Sequence, residues 1–172
     1  MENSSDALIL LAEAFRYPAP GHLETLENGL RSLPTGKEKG WIDSFLVHIR
    51  PLSLGAWEEL HTRTLDLNPP AAPYVGFQTW GESYQRGEFL SKMSREVMEN
   101  DIDADGELPD HLIPVLRYLA QAAQPLPELL TVIEPAVQRI IAALRQADSH
   151  NPYLDLFEGT LSACRAFHKE AV

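Results

Sequence analysis

The chain has 172 residues, a length that suits one domain with an ordinary hydrophobic core, and no apolar run in it approaches the length of a membrane span. Its 14 Lys and Arg against 25 Asp and Glu leave a net charge of -11. That balance argues against nucleic acid, which is bound by neutralising phosphates, and favours a basic partner, although acidity for solubility alone would look the same.

From the N-terminus, Ser4, Ser5 or Asp6 is placed to cap a helix over Ala7 to Tyr17, which Pro18 and Pro20 stop. Residues 7–15 are apolar, but no basic region precedes them and no small-residue cleavage site follows, so they do not read as a signal peptide. A second helix covers His22 to Leu33, with Leu23, Leu26, Leu30 and Leu33 on one face, and Pro34, Thr35 and Gly36 make a turn. The third, Glu38 to Arg50, presents Trp41, Phe45 and Ile49 before Pro51 ends it. The fourth runs from about Ser53 to Leu65 with Leu54, Trp57, Leu60 and Thr64 inward. Within it Glu58 and His61 form a Glu-x-x-His pair, the spacing of di-iron carboxylate bundles. No other histidine has a glutamate three residues before it, so His61, like His22, His48, His150 and His168, reads as a surface or satisfied histidine.

Residues 66–81 are the one long break in helical pattern, where Pro69, Pro70 and Pro73 force extended backbone and Tyr74, Phe77 and Trp80 recur every third position. A fifth helix, Glu82 to Asn100, carries Tyr84, Phe89, Met93, Val97 and Met98. Aromatics and methionines beside a rigid loop are usually core, and they are also the residue types of adaptable apolar grooves. Asp101, Asp103, Asp105 and Gly106 match the first half of a calcium-binding EF-hand loop, but Leu112 stands where the bidentate glutamate belongs, so a solvated acidic loop is the better reading. Glu107-Leu108-Pro109-Asp110-His111 then leads into Leu112, Leu116 and Leu119, which share a helical face. Pro109 near the first helical position and Asp110 in the first turn predict a helix mouth bearing carboxylates and an imidazole.

Leu126 to Ala147 reads as one long helix or two, since Leu130, Ile133, Val137, Ile140 and Leu144 keep period while Pro135 interrupts. Asn151 and Pro152 open a last helix that buries Leu154, Phe157, Leu161, Cys164 and Phe167. Cys164 is the single cysteine, which excludes an internal disulfide and fits a reducing compartment. No segment alternates as a strand would, so the expectation is a single all-α domain over residues 1–172, a bundle of about seven to nine helices. No Gly-rich phosphate loop, Cys-x-x-Cys pair or nucleophile elbow is present, which points away from an enzyme and from a bound metal or cofactor.

The passage Glu107 to His111, a Glu-x-Pro-Asp-His string, resembles the signature of the TorD/DmsD/NarJ family of redox-enzyme maturation chaperones. Three further passages agree in order. Arg63-Thr64-Leu65-Asp66-Leu67 followed by Pro69-Pro70 is similar to the R-T-F-D-L and double-proline passage of the nitrate-reductase-type branch. Gly81-Glu82 with Arg86-Gly87 resembles that branch's glycine-acidic and arginine-glycine segment, and Asn151-Pro152-Tyr153 resembles the Ser-Pro-Tyr that opens its last helix. Leu65 stands in place of the usual Phe, Pro114 falls one residue later than is common, and Pro73-Tyr74 leans toward the TorD type, so the branch and the client stay open.

The resemblance implies a TorD-like, cytoplasmic chaperone that is not an enzyme and carries no cofactor. Its partner would be the twin-arginine or vestigial N-terminal leader of a molybdenum-cofactor oxidoreductase subunit. It would hold the apoenzyme for cofactor insertion, assembly and export or membrane attachment, with molybdenum-cofactor biosynthesis proteins as further partners, as a monomer or a helix-exchanged dimer. Guanidinium groups of the leader suit carboxylates, for which Glu107, Asp110 and Glu82 are the candidates. Phe77, Trp80, Tyr84 and Leu108 are candidates for an apolar groove, with Pro109 inside the signature and His111 as a hydrogen-bond donor or a cap on the acidic turn. Two readings compete with this one: purely local helix-start structure for Asp110 and His111, and a permanent helical scaffold subunit of a redox complex without leader recognition.

Overall fold

In the computed structural model the backbone is described for residues 2–171 and the side chains for residues 4–169. Among the described residues the chain forms nine α-helices and no strand, an all-α bundle as the helical periodicity predicts. No helix of the described residues is long and apolar enough to cross a membrane.

Helix α1 (Glu2–Phe15) begins earlier than its polar residues suggest, so Ser4, Ser5 and Asp6 lie inside its first turns and are not the cap. It buries Leu8, Leu11 and Phe15 with the small Ala12 and Ala14 between them, and packs against α7 (Leu112–Gln121) and α9 (Tyr153–Ala171). Pro18 and Pro20 stop the helix as predicted, and α2 (His22–Ser32) folds back onto it. Gly29 lets the two pack, since a Cβ there would sit 2.5 Å from Leu10 Cδ1. Helix α3 (Lys37–Ile49) presents Ile42, Phe45, Leu46 and Ile49 and lies along α9.

The fourth helical stretch differs from the expectation. Helix α4 spans Leu54–His61 only, and Thr62–Asp66 continues it as one π-turn closed by Leu67 N donating to Thr62 O at 3.0 Å. Trp57, Leu60 and Thr64 point inward, whereas Leu54 is 37% exposed. The stretch at 66–81 is likewise more ordered than its prolines suggest: Pro69–Ala71 is a single 3₁₀ turn, and α5 (Val75–Trp80) follows directly. Helix α6 (Tyr84–Glu99) is capped by the Ser83 hydroxyl and buries Arg86, Phe89 and Met93 alone, while Tyr84 and Met98 face solvent.

Helix α7 starts at Leu112, after the signature, so Pro109 and Asp110 precede it and the proline in its first turn is Pro114. Helix α8 (Pro127–Ala147) runs as one piece through Pro135 and packs on α9 and α5. Asn151 Oδ1 accepts from Tyr153 N at 2.9 Å, the predicted start of α9. Cys164 is a core residue at 2% exposure, and burial, with Glu134 nearby, pushes its thiol up to about 12.

Candidate functional site

The two irregular stretches meet. Val75 N donates to Asp110 O at 2.8 Å and Leu112 N donates to Pro73 O at 2.9 Å, which forms an isolated antiparallel bridge between Tyr74 and His111. The rigid proline-rich segment and the signature are therefore one joint, clamped on both sides of the bridge, from which α5 and α7 depart.

Inside the joint sits a charge pair. Arg86 Nε donates to Asp110 Oδ2 at 3.1 Å and Nη2 donates to Asp110 Oδ1 at 3.3 Å, a two-pronged contact of the kind guanidinium favours with a carboxylate. Asp110 has no exposure and Arg86 has 6%. The third arm, Nη1, donates to Glu82 Oε1 at 2.6 Å, just ahead of the cap of α6 and largely in water. The guanidinium carbon also lies 5.6 Å from the ring centres of Tyr74 and Phe77, within range of cation–π attraction. Gly76 makes the space: a Cβ there would stand 2.7 Å from Asp110 Oδ2 and 3.2 Å from Arg86 Cγ.

Around the pair, the Tyr74 hydroxyl donates to Glu107 Oε2 at 3.0 Å, and burial together with that bond raises the phenol above its ordinary range. His111 Nδ1 accepts from Ile113 N at 3.0 Å, so the histidine is the N-cap of α7 and its ring hydrogen belongs on Nε2. Burial, with His61 nearby, lowers the ring to about 3 and keeps it neutral. The tyrosine and histidine rings meet edge to face at 5.0 Å.

The candidate residues divide accordingly. Asp110 is not an open acceptor at a helix mouth; both its oxygens are taken by Arg86 in the interior. His111 caps α7 rather than the acidic turn. Glu107 and Pro109 are half-buried at the rim, Leu108 is 50% exposed, and Glu82 and Tyr84 project from the start of α6. Phe77 is half-buried beneath Arg86, and Trp80 is half-buried against Phe89 at 5.1 Å, at the edge of the core. Two central residues, Tyr74 and Gly76, were not among the candidates. Arg86 entered only through the resemblance, although its place four residues after Glu82 is a spacing at which an acid and a base can pair.

The acidic loop and the Glu-x-x-His pair make hydrogen bonds within the protein. Asp105 accepts from Arg16 Nε at 3.2 Å, and Asp103 Oδ1 accepts from Asp105 N at 2.9 Å. In the Glu-x-x-His pair, Glu58 Oε2 accepts the Tyr17 hydroxyl at 3.1 Å while His61 turns to the Phe15 carbonyl at 3.0 Å. Among the described residues no group of three or more His, Cys, Asp or Glu could hold a metal ion.

The sequence passages singled out above also join across the fold. Arg86 and Asp110 connect the second to the third, and Asn151 Nδ2 donates to Thr64 Oγ1 at 2.8 Å in the interior, connecting the first to the fourth. Fold and joint together define an all-α bundle built around a buried arginine–aspartate pair with an acidic, partly apolar rim. The chain matches no protein-family model, and no curated protein matches it.

Proposed function

We propose that this protein is a maturation chaperone for a molybdenum-cofactor oxidoreductase, acting in the cytoplasm on the N-terminal leader of the catalytic subunit. The observation that carries the reading is the pairwise joining of the four passages. Residues that resemble the TorD/DmsD/NarJ family, far apart in sequence, meet as Arg86 with Asp110 and Thr64 with Asn151. In this reading the buried pair fixes the joint, and the work of recognition falls to its rim. Glu82 and Glu107 supply carboxylates to leader arginines, and Tyr84 and Leu108 supply exposed apolar surface to the segment that follows them. The net charge of -11 draws a cationic leader toward the protein.

Calorimetric titration with synthetic leaders of the host's molybdoenzymes tests the proposal. One of them should bind, and binding should weaken as salt rises, because exposed charges are screened over roughly 8 to 10 Å at near-physiological ionic strength. Failure of every leader to bind ends the reading. A stoichiometric place in the mature, purified enzyme would mark the chain as a permanent scaffold instead.

A further inference from the structure

Trp41 keeps helical period with Phe45 and Ile49, yet it is half-buried and stands outside the apolar cluster that holds the bundle. It borders an open groove of about 740 Å³ between α3 and α9. The two helices run antiparallel along it, since the Ser44 hydroxyl donates to Asp155 Oδ2 at 2.8 Å and the Ser162 hydroxyl to Glu38 Oε1 at 2.7 Å. Gly159 lets them close, because a Cβ there would stand 3.1 Å from Trp41 Cβ. At about 1.5 Å of rise per residue, the α9 wall from Glu158 to Lys169 is roughly 16 Å long. That length takes about five residues of extended chain.

The charge of this groove runs against that of the molecule. Lys37, Arg165 and Lys169 line it, three of the 14 basic residues in a chain of net charge -11. Its two carboxylates are already engaged: Glu158 Oε1 accepts from Arg145 Nη2 at 2.9 Å, and Glu38 holds the Ser162 hydroxyl. Arg165 is likewise bonded to Glu134 at 2.8 Å. Lys37 and Lys169 are exposed, and among the described residues neither meets a carboxylate. Lys37 also stands in the first turn of α3, where the helix dipole favours acids, so the helix gains nothing from a cation there. A half-buried indole and two unpaired ammonium groups thus share one groove.

We infer that this groove binds an acidic segment of a partner polypeptide, with an apolar side chain between its carboxylates. The carboxylates pair with Lys37 and Lys169, and the apolar side chain covers the Trp41 indole. Shape favours a polypeptide, because the groove lies open and does not enclose a small molecule as a ligand pocket does. The site shares no residue with the joint and does not rest on the chaperone reading. A cationic leader has the wrong charge for it.

The test uses the whole chain and a displayed library of random dodecapeptides. Peptides retained by the parent protein should be enriched in Asp and Glu around a hydrophobic residue. The tightest of them, synthesised, should shift the Trp41 indole N–H resonance, which Trp41→Phe identifies; its counterpart with Asn and Gln for the acids should not. Lys37→Gln combined with Lys169→Gln changes two exposed side chains and should leave the melting temperature as it is. By calorimetric titration the double variant should bind that peptide about tenfold more weakly, the combined worth of two exposed charge pairs. A library that yields no acidic peptide overturns the groove. So does an acidic peptide that leaves the Trp41 resonance in place, or one that binds the double variant as tightly as the parent.

Discussion

Asp110 is held inside the protein by a partner buried with it, and its two oxygens meet Arg86 at 3.1 and 3.3 Å. Asp110→Asn keeps the shape and strands a guanidinium in the interior, so the expected loss is roughly 3 to 5 kcal/mol of stability, measured by denaturant unfolding. Replacing both partners with apolar residues should cost less than either single change, the mark of a pair whose members need each other. His111 gives a separate, acid-sensitive contribution. Unfolded, it takes a proton near 6.5, while burial holds the folded ring down to about 3. Between those values the unfolded chain binds more protons, so stability falls as pH drops below about 6.5, by about 1.4 kcal/mol one unit lower. His22, also lowered by burial, adds a slope of the same sign. His111→Asn retains a capping side chain and should flatten the slope to what His22 leaves, as read from melts between pH 7.5 and 5.5.

Among the elements, α5 is short and serves to set Gly76 against the charge pair. Gly76→Ala would drive a methyl group to 2.7 Å from Asp110 Oδ2, in surroundings with little room to yield. The overpacking should cost on the order of 1 to 3 kcal/mol, visible in the unfolding midpoint. The long helices were legible in the sequence because leucine and isoleucine repeat at helical spacing and prolines punctuate them. The start of α1 was not, since Ser4, Ser5 and Asp6 are as tolerable in a first turn as before it. The π-turn left no trace, because a single widened turn is too short to change a hydrophobic period. Leu54 and Tyr84 fit the apolar faces of their helices, yet both sit in first turns that extend past the core. The candidate site was legible as a location, through Glu107 to His111 and the aromatics at 74–80. Its internal wiring was not, because nothing in local pattern says that Asp110 will find an arginine on another helix.

Across the whole molecule the excess of acidic groups acts on stability and on association in opposite ways. At -11 the folded protein repels itself, and added salt relieves that strain while weakening attraction to a cationic peptide. Thermal melts should therefore rise from low salt toward about 1 M, where the screening length shrinks to roughly 3 Å, over the same range in which the proposed binding of a leader should weaken. A melting temperature that drops together with affinity would mean that internal pairs such as Arg16–Asp105 outweigh the general repulsion. The bundle itself is held by one apolar cluster drawn from α1 to α9. Helix α6, for all its 16 residues, gives that cluster only Phe89 and Met93.

That sparse seating has a kinetic consequence. The backbone bonds on either side of the Tyr74–His111 bridge close the segment between those residues at its base, so α6 is tied off from the helices before and after it. A unit so tied opens as a piece, without waiting for the bundle to come apart. Its amide hydrogens should exchange with deuterium as one group, ahead of those in the middle of α1 and α9. Asp110→Asn, by unpinning Arg86, should quicken that group first.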